Sequence, residues 1–130
     1  MHLHEITTDL APAAIGPYAQ AIRAGDFVYT SGQLPLTASG AMIATSMSDQ
    51  TRQVILNLKA VAEACGGALS QAVKANVYLK DLSLFAEFNA VYEQMFEGHK
   101  PARSTVEVAR LPKDALVEIE LVLYVPAEKK

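Results

Sequence analysis

Two carboxylates, one guanidinium and one hydroxyl near the carboxyl end of the sequence are its best candidates for chemistry. Glu118 and Glu120 alternate with apolar residues, which predicts that both point away from the core on one face of a strand. Arg103 and Thr105 alternate in the same way along the preceding segment. Arginine binds carboxylates through paired hydrogen bonds, and a glutamate can orient or deprotonate water. The four side chains could therefore hold an anionic substrate and activate water.

A short connection between these two segments predicts that they form an antiparallel hairpin. If Leu111 pairs with Leu116, Arg103 shares a face with the glutamates. The same register places Glu107 opposite Glu120, a like-charge pair that costs free energy unless a cation or a partner chain relieves it. The alternative interpretation of the hairpin is a solvated sheet face with an ordinary ion pair.

Two further polar residues lie where they could reach a ligand. Asn89 falls at the edge of the apolar stripe of a predicted helix, where an amide needs a hydrogen-bond partner. Tyr18 follows Gly16 and Pro17, which predict a turn that can project the phenol outward. The alternatives are an amide that caps a helix or tethers a loop, and an aromatic ring that packs at a rim.

Other reactive residue types in the sequence do not indicate catalysis by themselves. Ser31 and Gly32 end a predicted strand without the nucleophile-elbow motif or an evident histidine base, so hydrogen bonding and simple turn chemistry are the favoured roles. His2 and His4 form a terminal pair without further ligands, and no metal site is expected. Cys65 ends an amphipathic helix and is expected to be a small packed side chain.

Hydrophobic periodicity, interrupted by glycine and proline, predicts the strands that position these side chains. Strands are predicted over residues 19–24, 27–31, 73–79, 103–111 and 116–125, with residues 41–43 as a further candidate. In the third of these, Val73, Ala75, Val77 and Leu79 are predicted to face the core.

Helical periodicity predicts two helices between the strands. The first covers residues 48–65, with Ser48 as the N-cap and Gly66 as the stop. The second starts at Asp81 or Ser83 and ends before Gly98 and Pro101; its apolar side comprises Phe85, Phe88, Tyr92, Met95 and Phe96. This order of elements predicts an α+β fold: one mixed sheet with both helices on one face, in a single domain over residues 1–130.

Composition limits the classes of function. With 51% hydrophobic residues and a mean hydropathy of +0.16, the chain has more apolar surface than so small a monomer can bury, which predicts association between subunits. A net charge of −3 disfavours nucleic acid as a partner. The sequence contains no apolar run long enough for a membrane helix. One cysteine cannot form an internal disulfide, so a reducing, cytoplasmic location is expected.

Several segments resemble one known family. Its carboxyl-terminal signature is matched at residues 101–104 (PARS), 106–112 (VEVARLP) and 117–120 (VEIE). Further matches lie at residues 14–18 (AIGPY), at residues 31–33 (SGQ), and at Asn89 and Tyr92. The family is RidA (YjgF), and the resemblance covers nearly the whole chain.

This resemblance implies a chorismate-mutase-like fold and a homotrimer with three clefts between subunits. It also implies hydrolysis of 2-imino acids, released by pyridoxal-phosphate-dependent dehydratases, to 2-keto acids and ammonia, without a metal or redox cofactor. Arg103 would bind the substrate carboxylate, with Glu118 and Tyr18 as further catalytic groups. The other cleft residues would be Ser31, Gly32, Asn89 and Thr105.

One departure from the family leaves alternatives open. Many members have cysteine where this chain has Thr105, so no thiol is available there, although the backbone amide would remain. A non-catalytic ligand-binding or chaperone-like trimer would carry the same anion-binding cleft. A ribonuclease or inhibitor of translation, also described in the family, is disfavoured by the acidic charge balance.

Overall fold

The computed structural model describes residues 3–127, which form six strands and two α-helices. The strands are β1 (Leu3–Ile6), β2 (Ala21–Ala24), β3 (Phe27–Thr30), β4 (Ala72–Leu79), β5 (Ala102–Glu107) and β6 (Val117–Tyr124). The helices are α1 (Met47–Ala64), between β3 and β4, and α2 (Phe85–Met95), between β4 and β5. Among these residues, no helix is long and apolar enough to cross a membrane.

All six strands belong to one sheet in the order β1-β2-β3-β6-β4-β5. Every neighbouring pair is antiparallel except β4 and β5, which are parallel. The parallel pair is possible because α2 carries the chain back to the start of the sheet before β5 begins. The predicted α+β class, with a mixed and mostly antiparallel sheet, is therefore confirmed.

The predicted hairpin between the last two strands is wrong. β5 ends at Glu107, and β6 pairs with β3 and β4, so β4 separates β5 from β6. The connection includes a turn of 3-10 helix at Pro112–Asp114, with positive φ angles of 57° at Lys113 and 56° at Asp114. The segment from β5 to β6 therefore passes the end of β4 and makes no hairpin. The expected pairing of Glu107 with Glu120 does not form, and Glu107 accepts a hydrogen bond from the backbone of Leu82.

Helix α1 begins two residues earlier than its predicted N-cap would place it. The N-cap is Ser46, whose hydroxyl accepts a hydrogen bond from the Asp49 amide, and not Ser48. Ser48 instead binds the Glu87 carboxylate through both its amide and its hydroxyl, which links the start of α1 to α2. The helix ends at the predicted glycine: Gly66 has a φ of +85°, a conformation that residues with a side chain rarely adopt.

Three smaller predictions are also corrected. Asp81 caps a 3-10 turn that precedes α2, and the α-helix itself begins at Phe85. The candidate strand at residues 41–43 is reduced to an isolated bridge between Leu36 and Met42. An irregularity in the pairing of β4 turns Val73 outward, whereas the later residues of this strand alternate as predicted.

The core lies between the two helices and one face of the sheet, which we call the inner face. Its largest fully buried members include Val28, Val54, Ile55, Leu58, Val61, Val77, Phe88 and Ile119. The opposite, outer face has no described element over it, and large apolar side chains lie exposed there. They are Phe27, Tyr29, Val106 and Tyr124.

Candidate active site

Arg103 lies on the inner face of the edge strand β5, against the aromatic side of α2. It pairs in register with Ala75 of β4, which is fully buried under the helices. Its Cζ atom lies 5.5 Å from the ring centre of Phe85, 5.6 Å from that of Phe88 and 4.8 Å from that of Tyr92. Three rings thus stabilise the cation from one side, and the parallel β4–β5 pairing brings it to them.

Within residues 3–127 the Arg103 guanidinium makes no ion pair and no well-directed hydrogen bond, although it lies near enough to the Tyr92 hydroxyl to lower the pKa of that phenol. The ion pair between Arg52 and Asp49 lies in α1 and does not involve Arg103. A half-buried arginine whose five N–H donors have no well-directed acceptor is an anchor for an anion, above all for a planar carboxylate.

An open cavity of about 550 Å³ lies beside Arg103. Its wall is formed by the end of α2 and the segment that follows: Asn89, Tyr92, Glu93, Gly98, His99, Lys100 and Pro101. The amide of Asn89 is half-buried and has no hydrogen-bond partner among residues 3–127, so it acts neither as a cap nor as a loop tether there. We call this cavity, with Arg103 and the wall residues named above, the arginine cavity.

Thr105 lies two residues after Arg103 on the same face of β5. Its hydroxyl is buried and has no hydrogen-bond partner within the described residues, and the same holds for the hydroxyl of Tyr92. Burial raises the pKa of the Tyr92 phenol, and the nearby Arg103 cation partly offsets this rise. Tyr92 is therefore a neutral hydroxyl at physiological pH, able to donate or accept a hydrogen bond.

A second group of the predicted residues lies on the outer face of the sheet. Glu118 of β6 pairs with Tyr78 of β4 and points away from the helices. Its carboxylate packs over Gly32: a Cβ atom at residue 32 would lie 2.8 Å from Glu118 Cδ and 3.1 Å from Cγ. Glycine is therefore required at residue 32 for this carboxylate to keep its position.

Burial raises the pKa of the Glu118 carboxyl, and repulsion from the neighbouring Glu120 carboxylate raises it further. Tyr78, opposite Glu118 on β4, has a pKa raised by burial and then by the charges of Glu120 and Glu118. The amide of Asn76 donates a 3.2 Å hydrogen bond to Glu120. Glu118 is thus a partly desolvated carboxyl that holds its proton to a higher pH than an ordinary glutamate does, as suits a group that takes and returns a proton.

Tyr18 projects from the segment before β2, and just over half of its side chain is exposed. The turn that carries it is closed by a hydrogen bond from the Tyr18 amide to Gly16, whose φ is +130°. The buried Gln20 amide holds the preceding segment through hydrogen bonds with the backbone of Thr8 and Pro12. Tyr18 and Gly32 line a common crevice next to Glu118. We call Tyr18, Gly32 and Glu118 the carboxylate group.

Ser31 makes hydrogen bonds that stabilise the local backbone. Its hydroxyl donates to the Ala19 carbonyl and its amide donates to the Gln20 carbonyl, which ties the end of β3 to the segment of Tyr18. This hydroxyl therefore positions the backbone beside the carboxylate group. His4 pairs with Arg23 between β1 and β2, and the predicted pair with His2 lies outside the described residues.

The structure corrects the predicted arrangement of the site. Arg103 and Thr105 lie on the inner face, whereas Glu118 and Glu120 lie on the outer face, because β5 pairs with β4 and not with β6. From the sequence, Tyr92 was placed on the apolar side of a helix and among the residues that match the family, without a role in the site. Its spacing from Asn89 along one helix face was a usable signal, but contact with Arg103 follows only from the parallel pairing.

The fold and the arginine cavity define a small α+β protein with a recess suited to a carboxylate at the edge of its sheet. The endoribonuclease L-PSP family, which includes the YjgF and RidA proteins, matches residues 8–125, and the chain belongs to this family. The predicted family is therefore confirmed.

Individual relatives are similar over almost the whole chain. A RutC family protein of Pyrococcus horikoshii is 50% identical over 92% of this chain and 95% of its own. The 2-iminobutanoate/2-iminopropanoate deaminase of Salmonella typhimurium is 49% identical over 90% of this chain and 94% of its own. The crystal structure of yeast Mmf1 matches with a TM-score of 0.93 and 42% identity, over 95% of this chain and 99% of that one.

Proposed function

We propose that this protein hydrolyses 2-imino acids to 2-keto acids and ammonia. The observation that carries the proposal is the guanidinium of Arg103, half-buried over three aromatic rings and without an acidic partner in residues 3–127. Such a group binds a carboxylate strongly. The name of the Salmonella relative supports the view that this carboxylate belongs to a 2-imino acid.

We further propose that each active site is shared between two subunits. Arg103 and Glu118 lie on opposite faces of the sheet of one chain, with β4 between their strands, so one chain does not bring them together. If the carboxylate group of one subunit adjoins the arginine cavity of the next, both groups reach one substrate. The half-exposed Tyr18 would then reach the neighbouring cavity.

The outer face supports self-association into the homotrimer that the family resemblance implies. Phe27 is 39% exposed, Tyr29 is 50% exposed and Tyr124 is 44% exposed, and they lie on adjacent strands of a face without a covering element. Contiguous apolar surface of this kind is typical of an interface between subunits. A closed trimer would bury it and would place three shared clefts around the assembly.

The chemistry demands little beyond positioning and proton transfer. A protonated 2-imino acid is an electrophile: the water oxygen bonds to the imine carbon and gives up one proton, which reaches the nitrogen of the carbinolamine. The carbon–nitrogen bond then breaks with release of ammonia, and the hydroxyl loses its proton to become the carbonyl of the keto acid. Arg103 would fix the carboxylate, and Asn89 could donate to the same group. Glu118, with its raised pKa, could take the proton from water and return it to the nitrogen.

A coupled assay tests this function. A pyridoxal-phosphate-dependent threonine dehydratase generates 2-iminobutanoate, and the release of 2-oxobutanoate is followed with and without this protein. We expect the protein to accelerate release above the spontaneous rate in proportion to its concentration. Release at the spontaneous rate over the whole range would refute the proposal.

Endoribonuclease activity is the second candidate, because the description of the matching family names it. The net charge of −3 and the acidic pair on the outer face disfavour binding to a phosphate backbone. Incubation with structured and single-stranded RNA at physiological salt separates the two activities. Cleavage that persists in Arg103→Ala, together with unaccelerated imine hydrolysis, would favour the nuclease.

A further inference from the structure

Three buried hydroxyls have no hydrogen-bond partner within residues 3–127: those of Thr51, Tyr92 and Thr105. A buried hydroxyl without a partner costs free energy, so each case requires an explanation. Tyr92 contacts Arg103 and lines the arginine cavity, and Thr105 lies next to Arg103 on the same face of β5 without lining the cavity; Thr51 lies apart from both strand residues, in α1. The clustering of two such groups around one unpaired cation indicates an interaction that forms only when a ligand is bound.

Tyr92 is the member of this cluster whose surroundings are best defined. Only 7% of the residue is exposed, it lines the arginine cavity, and its ring centre is 4.8 Å from Arg103 Cζ. The Tyr92 hydroxyl is thus close enough to the Arg103 guanidinium for the cation to lower the pKa of the phenol, but no hydrogen bond of good geometry joins the two groups. A small rotation of the Arg103 side chain would pair them.

We propose that Tyr92 is a positioning residue for Arg103. When a carboxylate enters the arginine cavity, the guanidinium donates one hydrogen bond to the Tyr92 hydroxyl and keeps the remaining N–H groups for the carboxylate. The identity of that carboxylate as a 2-imino acid rests on the function proposed above.

The aromatic contacts alone do not orient the cation. Attraction between a guanidinium and a ring face holds the cation near the ring but depends weakly on rotation of the guanidinium in its own plane. Phe85 and Phe88 offer no hydrogen-bonding atom, so Tyr92 is the only one of the three rings able to fix that rotation. Bidentate binding requires the fork to face the carboxylate, and a fixed rotation provides this.

The first experiment compares Tyr92→Phe, which removes only the hydroxyl, with the unmodified protein. Binding of 2-oxobutanoate is measured by calorimetry, and KM and kcat are measured in the coupled assay. We expect Kd and KM to rise about tenfold, as for the loss of one charge-assisted hydrogen bond, with kcat changed less than about twofold. The matched control is Thr51→Val, which removes a partnerless hydroxyl outside the cavity and should leave both constants unchanged.

The second experiment places Tyr92→Phe in the Arg103→Lys background. Lysine has no planar guanidinium whose rotation could be fixed. If Tyr92 acts through Arg103, its substitution there should weaken 2-oxobutanoate binding less than about twofold. Equal losses in both backgrounds, or unchanged binding in the single variant, would overturn the inference.

The outcomes separate this inference from the proposed function. If the protein binds 2-oxobutanoate but does not accelerate imine hydrolysis, the proposed function is disproved. The role of Tyr92 is then decided by the effect of Tyr92→Phe on the Kd for 2-oxobutanoate. A protein that hydrolyses imines without measurable affinity for 2-oxobutanoate, and whose KM is unaffected by Tyr92→Phe, would overturn the role of Tyr92 alone.

Discussion

The carboxylate of Glu118 lies so close over Gly32 that the two residues determine each other's geometry. A Cβ atom at residue 32 would meet the end of the Glu118 side chain and not the backbone. Gly32 has an ordinary φ, so the substitution Gly32→Ala introduces no backbone strain. A flexible carboxylate can move aside at small cost to the fold, but a displaced carboxylate would not reach the water of the proposed reaction.

We therefore expect Gly32→Ala to lower kcat/KM by about tenfold or more while the thermal unfolding temperature falls only slightly. Steady-state kinetics and calorimetric unfolding of the same preparation provide the two measurements. A variant that unfolds at a much lower temperature would contradict the freedom of the Glu118 side chain to move aside, and one that keeps full activity would contradict its need for this position.

Arg103→Ala should abolish imine hydrolysis while the fold persists. Two charge-assisted hydrogen bonds of roughly 2 kcal/mol each correspond to a loss of about 10³-fold. Arg103→Lys should also be poor, since a point charge does not reproduce the fork. The control is Arg110→Ala, which removes an exposed arginine outside the cavity. Keto acid release near the unmodified rate in Arg103→Ala would remove the anchor from the mechanism.

Thr105→Cys should change activity by less than about tenfold, because no step of the proposed reaction needs a nucleophilic side chain there. The Thr105 hydroxyl has no partner to lose, and a thiol tolerates a site without hydrogen bonds better than a hydroxyl does. Activity is measured in the coupled assay at equal protein concentration. A gain of several orders of magnitude would mean that the native chain binds imino acids without turning them over.

The acid limb of the pH profile should report Glu118. A base acts when it is ionised, and burial together with the Glu120 charge raises the pKa of Glu118, so kcat/KM should rise with pH around a midpoint above the usual value of about 4.3. Glu118→Gln should remove this limb and most of the activity. Glu120→Gln should shift the midpoint to lower pH, because it removes one cause of the rise. The spontaneous rate is subtracted at each pH.

The same raised pKa has a consequence for stability with the opposite sign. Between the unfolded and folded pKa values of Glu118 the native state binds more protons, so stability falls as the pH rises through this window. Glu118→Gln should therefore be more stable than the unmodified chain at neutral pH and equally stable below the usual glutamate pKa. Urea unfolding at several pH values measures the difference; a constant difference across the range would contradict it.

The shared-cleft proposal predicts complementation between two inactive variants. Tyr18→Ala and Arg103→Ala chains, mixed and allowed to exchange subunits, should regain part of the activity, because some mixed clefts receive both intact residues. Sedimentation in dilute solution should show a trimer for each parent. A monomer, or exchanged trimers that stay inactive although each parent is folded, would refute this arrangement.

Local periodicity determined most elements of this protein. Period-two alternation located β6 and most of β4, and the apolar stripes located both helices, because each element carries its own buried face within a few residues. The residue types of the site, among them Arg103, Glu118 and Asn89, were also evident from the sequence. Turn glycines such as Gly66 are required by a backbone conformation that sequence alone can indicate.

Only the tertiary structure decided which strands are neighbours. The insertion of β6 between β3 and β4 depends on contacts between residues far apart in the chain, and a short connection such as that before β6 is compatible with either a hairpin or a passage past one strand. That choice moved Arg103 to the inner face, placed it over Tyr92, and separated it from Glu118. A pairing of β5 with β6 would have brought Arg103 and Glu118 together within one chain. The observed pairing of β5 with β4 instead places them on opposite faces of the sheet.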